Sequence, residues 1–178
     1  MAPNIDIRLM QPENLELLHA ICCDAYSQNF AHHWEEGGLE NYLGDVFGIE
    51  KLRTDLLNND IQYYVAFVEE QPVAFMKLNL ASNLPGLATD EGIELDKVYI
   101  LPAFKGKGIG KALLDKAIEM AQSNKKRIVW LCVIDTNTEA ISFYKKIGFK
   151  LHSQLRINYP KFKEELKGMW RMFFELDL

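Results

Sequence analysis

Apolar and polar positions change period several times along this chain, and each change predicts an element. Ile5, Ile7 and Leu9 alternate with Asp6 and Arg8, the period of a half-buried strand. From Gln11-Pro12-Glu13-Asn14 onward the period lengthens. Leu15, Leu18, Ile21, Cys22 and Ala25 recur at helical spacing, and Tyr26, Phe30 and Trp34 continue it until Gly37-Gly38 ends the pattern. A second helical pattern runs from about Leu39 to Asn58 through Tyr42, Leu43, Val46, Phe47, Leu52, Leu56 and Leu57. Gly44 and Gly48 weaken it, so it reads as one helix or as two pieces. Gln62 to Val68 and Val73 to Leu80 are strands joined through Glu69-Glu70-Gln71-Pro72, which predicts an antiparallel hairpin. Ala81 to Asp90 is a loop.

The stretch from Asp96 to Ala121 organises the rest of the chain. Gly92-Ile93-Glu94-Leu95 leads into Val98, Tyr99, Ile100 and Leu101, a buried strand ended by Pro102. Lys105-Gly106-Lys107-Gly108-Ile109-Gly110-Lys111 then opens into a helix with Leu113, Leu114, Ala117, Ile118 and Ala121 on one face. Ser123 to Lys126 closes the crossover, and Arg127 to Ile134 is the next strand. Strand, helix and strand in this order predict a parallel pair with a right-handed connection. Thr136 or Asn137 caps a further helix that Gly148 ends in a left-handed conformation. Two final strands, near Phe149 to Ile157 and Gly168 to Leu176, pair across the loop holding Pro160. With no repeats, linkers or low-complexity runs, residues 1–178 read as one domain.

Composition narrows the class. Hydrophobic residues make up 48% and charged residues 25%, values of an ordinary globular chain. No apolar run approaches the ~18 residues of a membrane span, and the amino terminus lacks a signal-peptide pattern, so a cytoplasmic protein without membrane contact is expected. Cys22, Cys23 and Cys132 show neither a disulfide framework nor a zinc spacing and suit a reducing compartment. The net charge of −5 is unevenly spread: the first hundred residues carry 5 basic and 17 acidic side chains, the remainder 15 and 8. A basic carboxyl half suits a polyphosphate ligand, while an acidic amino half suits a cationic partner and repels nucleic acid.

The glycine loop carries the first chemistry. Glycines let backbone approach a ligand, and the first amides of a helix are unpaired donors at the positive end of its dipole, so a pyrophosphate is expected there. An ATP-binding P-loop needs four residues between its glycine and the Gly-Lys pair and then Ser or Thr. Gly106 and Gly110 enclose only three, and Ala112 follows Lys111. A dinucleotide fingerprint would need glycine where Lys111 stands. The alternative is a glycine turn that only packs a helix on a strand.

Lys105, Gly108 and Gly110 stand in the three specified places of [Arg/Gln]-x-x-Gly-x-[Gly/Ala], and the loop thereby resembles the acetyl-CoA signature of the GNAT N-acetyltransferase superfamily. Lys105 departs from that pattern, keeping the charge without the planar fork. Asn137, Ala140, Phe143 and Tyr144, followed by Gly148-Phe149, match the second GNAT hallmark one strand later. Within the superfamily the chain looks like bacterial polyamine N-acetyltransferases of the PaiA kind. The resemblance implies an α/β (α+β) fold: a mostly antiparallel mixed sheet of six to seven strands, with a splayed central parallel pair and about four helices.

It also implies a site. Val98, Tyr99 and Ile100 would offer main-chain groups to the pantetheine and thioester of acetyl-CoA. The amides of Lys105, Gly106, Lys107, Gly108, Ile109, Gly110 and Lys111 would surround its pyrophosphate, with Asn137 on the pantetheine arm and Phe143 packing nearby. Tyr144 would protonate the departing thiolate, and Glu94 would take the acceptor's proton directly or through water, with Asp96 on the same strand face as second candidate. His32-His33 shows no further ligand, so no metal is expected. Tyr26, Phe30, Trp34 and Tyr42, with the neighbouring acids, would line a pocket for a small-molecule amine. The function implied is acetyl transfer to a primary amine, such as a polyamine. A protein or peptide acetyltransferase and a non-catalytic acyl-CoA-binding module remain alternatives, as do a monomer and a homodimer.

Overall fold

The computed structural model describes residues 4–87 and 90–177. The expected loop over Ala81 to Asp90 therefore includes Ala88 and Thr89, which lie outside the described residues. Seven strands form one sheet: β1 (Ile5–Leu9), β2 (Ile61–Val68), β3 (Gln71–Asn79), β4 (Gly92–Ile100), β5 (Ile128–Ile134), β6 (Lys150–Arg156) and β7 (Gly168–Glu175). Their order is β1-β2-β3-β4-β5-β7-β6. Every pairing is antiparallel except that of β4 with β5. This is the mixed sheet with a central parallel pair that the sequence predicts. The last strand does not extend the edge, however; it enters between β5 and β6.

Among the described residues, five α-helices cover the two faces. α1 (Leu15–Phe30), α2 (Gly38–Phe47) and α3 (Ile49–Leu56) lie on one side, and α4 (Ile109–Ser123) on the other, followed by α5 (Thr138–Ile147). The second amino-terminal pattern is thus two helices. Gly48 separates them, and a β-carbon there would stand 2.3 Å from the Gly44 carbonyl oxygen, so the corner demands glycine. Strand alternation divides the core. Tyr63, Val65, Phe67 and Phe75 pack with Leu18, Ile21, Phe47 and Leu52 of the amino-terminal helices. Tyr64, Ala66, Met76, Ile93 and Leu95 pack with Leu113, Leu114 and Ala117 of α4. Each large aliphatic side chain removed from water in this way contributes about 1.5–3 kcal/mol.

Two irregularities open the centre of the sheet. β4 and β5 pair only from Gly92 with Ile128 to Glu94 with Trp130, and beyond Glu94 they have no ladder between them. On the other edge of β4, Lys77 pairs with Lys97 and Leu78 with Leu95, which leaves Asp96 as the extra residue of a β-bulge. The bulge reverses the alternation. Ile93 and Leu95 face α4, and so do Val98 and Ile100, while Tyr99 turns to the opposite core. Asp96 itself stays on the Glu94 side of the sheet, where it meets Lys77, and the reversal begins after it.

Candidate active site

A cavity of about 400 Å³ fills the gap where β4 and β5 part. Its walls are Glu94 to Tyr99 of β4, Leu131 to Ile134 of β5, and Asn137, Ala140 and Tyr144 at the start and middle of α5. Beyond Glu94 the edge of β4 that faces β5 has no strand partner; Asn29 Nδ2 donates to the Ile100 carbonyl at 2.8 Å, and the main chain at Val98 is left to meet a ligand.

At one end the glycine loop leads into α4. Gly106 and Gly108 have φ of 73° and 84°, and a β-carbon on either would meet nothing within 4 Å. At these two glycines the loop backbone borders open space. The first α-helical bond runs from Ala112 N to Gly108 O, leaving the amides before it as the free donors of the helix end. Lys105 and Lys107 are exposed beside them, and the Lys107 ammonium lies 4.7 Å from the centre of the Phe104 ring. Gly110 serves packing: a β-carbon there would stand 3.2 Å from Phe143 Cζ and 3.4 Å from Ile100 Cδ1. Ile100, Phe143 and residues 105–111 adjoin the slot without lining the cavity itself.

α5 brings Asn137 and Tyr144 to the slot. The Asn137 side chain accepts the Ala140 amide at 3.2 Å, so this residue, not Thr136, is the helix cap. Gly148 ends the helix at φ 116°, as the sequence predicts. Tyr144 is buried, and its hydroxyl has no hydrogen-bond partner among the described residues. Burial holds that phenol well above its usual range, so it is a neutral donor near pH 7.

The two carboxylates of β4 belong to separate circuits. Oε2 of Glu94 accepts Asn79 Nδ2 and Ser82 Oγ, both at 2.9 Å, leaving the second oxygen available. Asp96 is bound by Lys97 at 2.9 Å and Lys77 at 3.2 Å. Burial alone would raise its carboxyl, but the two lysines hold it below the usual carboxylate range. Cys132 also lines the cavity, and burial, with Glu94 nearby, pushes its thiol up to about 11, a poor state for a nucleophile.

The opposite end is aromatic. Tyr26 stacks on Tyr42 at 4.5 Å, Phe30 meets the Tyr99 ring at 5.0 Å, and Trp34 donates to Tyr26 Oη at 3.2 Å. Tyr99, placed by the sequence among the cofactor contacts, thus sends its ring into this chamber. His33 joins them, and two further aromatic lining residues, Tyr159 and Phe162, escape the sequence reading. Trp34 and Phe162 form an isolated antiparallel bridge, Lys163 N donates to His33 O, and Glu35 N donates to Lys161 O. A connection between the last two strands is thereby tied to the end of α1, a contact that no local pattern announces. Burial, with His32 and Lys163, lowers His33 to about 4, so its ring is neutral. The acids from Glu35 to Asp60, expected around the pocket, are not among its lining residues. Six of them are exposed on outer faces, and Asp55 is buried elsewhere.

Residues 19–149 match the Acetyltransferase (GNAT) family. An uncharacterized N-acetyltransferase of Methanocaldococcus jannaschii is 36% identical over 110 residues, 62% of this chain and 43% of that protein. The spermidine N(1)-acetyltransferase of Thermoplasma acidophilum is 28% identical over 155 residues, 83% of this chain and 89% of the relative. Among solved structures, PaiA N-acetyltransferase from Thermoplasma acidophilum in complex with coenzyme A superposes with a TM-score of 0.77. That likeness covers 97% of this chain and 99% of the other at 24% identity.

Proposed function

The chain belongs to the GNAT acetyltransferase family, and from that premise we propose direct transfer of acetyl to a small cationic amine, with polyamines as the acceptor class. As a member it is an acetyl-CoA-dependent N-acetyltransferase. Seven strands in one sheet support residues 1–178 working as one unit. Three free cysteines support a cytoplasmic setting. The observation that carries the proposed mechanism is the parting of β4 from β5, which leaves one slot running past Glu94, the unpaired β4 edge and Tyr144.

The residues present fit acetyl-CoA. Open space beside Gly106 and Gly108 and the free amides before Ala112 suit its diphosphate, and Lys105, Lys107 and Lys111 add positive charge. The free edge of β4 offers the main chain of Val98 and the amide of Ile100, whose carbonyl Asn29 holds, to the pantetheine and the thioester carbonyl, while Asn137 bounds the slot across from it. An amide donor at that carbonyl would also stabilise charge developing on its oxygen. Acetyl-CoA supplies the activated acyl carbon. Glu94 removes the extra proton of the acceptor's ammonium, directly or through water, and the freed nitrogen bonds to that carbon. As the carbon–sulfur bond breaks, Tyr144 donates its proton to the leaving thiolate; the nitrogen sheds its second proton through water as the neutral amide forms, which restores Tyr144, and Glu94 passes its own proton to solvent. The Tyr144 phenol keeps its proton at neutral pH, as the role requires.

The acceptor enters at the aromatic end. Ring faces of Tyr26, Phe30, Trp34 and Tyr42 attract a cation, and similarity to a spermidine N(1)-acetyltransferase supports the polyamine class. The test is thiol release from acetyl-CoA against a panel of polyamines, monoamines, amino acids and lysine peptides. Spermidine is expected to exceed a simple amino acid at least about tenfold in kcat/KM. Equal rates would reject the polyamine class, and no release with any amine would reject the transfer itself.

A further inference from the structure

A chain of buried charges runs from α3 to the cavity wall. Asp55, 2% exposed, accepts the Tyr63 hydroxyl at 2.8 Å and is paired with Lys51 and, at 3.2 Å, with Lys77. Lys77, 8% exposed, reaches Asp96 at 3.2 Å on its other side, and Asp96 also takes Lys97. Neither Asp55 nor Lys77 lines the cavity, whereas Asp96 and Lys97 do.

Burying such ions does not by itself stabilise a fold, because desolvation offsets the attraction and well-packed apolar side chains serve as well. Apolar neighbours are at hand here, since Phe47, Leu52 and Phe75 surround this part of the core. What ions supply is fixed orientation. Asp96 needs it, because as the bulge residue it has no ladder partner. Two lysine heads set its direction instead. Asp55 divides the ammonium of Lys77 between two carboxylates, so the positive charge falling on Asp96 is only partly that of Lys77.

We infer that Asp55 and Lys77 are positioning residues for the acceptor: they hold the Asp96 carboxylate, charged and correctly aimed, at the wall where the acceptor's ammonium arrives. This rests on the amine-acceptor reading above. Besides Glu94, which shares the cavity wall with Asp96, the other titratable groups facing the chain are Cys22 from α1, Tyr42 from α2, Tyr63 from β2, Tyr99 from β4 and Cys132 from β5. Burial raises all five, so they are neutral at pH 7 and leave the charge of Asp96 to the lysines.

The test compares wild type with Asp55→Asn, Lys77→Met and Lys77→Arg in two measurements. In steady-state kinetics with the best amine of the panel, Asp55→Asn is expected to raise acceptor KM about tenfold, with acetyl-CoA KM held within about twofold. Lys77→Arg, which keeps a cation between the two carboxylates, is expected to retain acceptor KM within about threefold. In carboxyl-13C aspartate NMR, the Asp96 titration is expected to move to higher pH in Lys77→Met and to stay low in Lys77→Arg. A folded Asp55→Asn with wild-type acceptor KM, or an Asp96 titration unmoved in Lys77→Met, overturns the inference. A wild type that acetylates no amine sinks the acceptor reading alone, because the NMR measurement still decides whether Lys77 governs Asp96.

Discussion

Gly110 and Phe143 come from different motifs, and in the folded protein they touch: a β-carbon on Gly110 would stand 3.2 Å from Phe143 Cζ. The glycine that opens α4 is therefore also the seat of an α5 ring, and Ile100 of β4 closes the same contact. Gly110→Val adds three carbons where one is already tight. It is expected to cost about 1–3 kcal/mol of stability by overpacking, offset little by helix propensity. Weaker acetyl-CoA binding by calorimetry should accompany the loss, since the displaced ring and strand border the slot. Unchanged affinity would separate this packing from cofactor binding.

Tyr144→Phe removes one oxygen from a buried ring that keeps its contacts with Phe143 and Phe149. Stability should change little. If Tyr144 is the proton donor, kcat is expected to fall about a hundredfold or more with acetyl-CoA affinity retained. Equal kcat in the variant would remove the assignment.

The buried tyrosines Tyr26, Tyr63, Tyr64 and Tyr144 and the half-buried Tyr42 and Tyr99 have phenols raised mainly by burial. In the unfolded chain each ionises near its ordinary value of about 10. Below that pH both states hold the proton and nothing is lost. As pH rises through about 10, the unfolded state sheds protons that the folded state retains, so stability falls. Denaturant melts from pH 8 to 11 are expected to show a steep decline on the alkaline side, and a flat profile would contradict these burials.

Tyr159 lies at the rim of the aromatic chamber, 5.5 Å from Trp34 and 5.1 Å from Tyr42. Tyr159→Ala is expected to raise acceptor KM by roughly threefold to thirtyfold for a cationic amine, the range of one cation–π contact. Acetyl-CoA KM should be unaffected, because the glycine loop proposed for the diphosphate is at the other end. A matched rise in both constants would mean a general collapse of the slot.

Local chemistry was readable from the sequence; long-range chemistry was not. Asn137 and Gly148 fit the ends of α5 because capping depends on residues a turn apart, and the antiparallel hairpin of β2 and β3 follows from alternation alone. The parallel pair follows from a strand, a helix and a strand in succession. No pattern marks Asp96 as a bulge, because that irregularity exists only in register with Lys77 and Leu78. Tyr159 and Phe162 reach the chamber by a bridge to Trp34 that spans more than a hundred residues. The acids after Trp34 misled for a related reason: their number is legible in sequence, but which side of a helix each takes is set by packing, and it sent most of them outward.

The final strand of the chain is an interior strand of the sheet, with β5 on one side and β6 on the other. During synthesis both neighbours must wait for it, and the nascent protein meanwhile displays two bare borders able to pair with a foreign strand. A polypeptide stopped at Lys167 is therefore expected to be held by chaperones or to precipitate, not to survive as a weakened enzyme. Recovery of such a fragment as a soluble, cooperatively melting species would show that β5 and β6 can do without their shared neighbour.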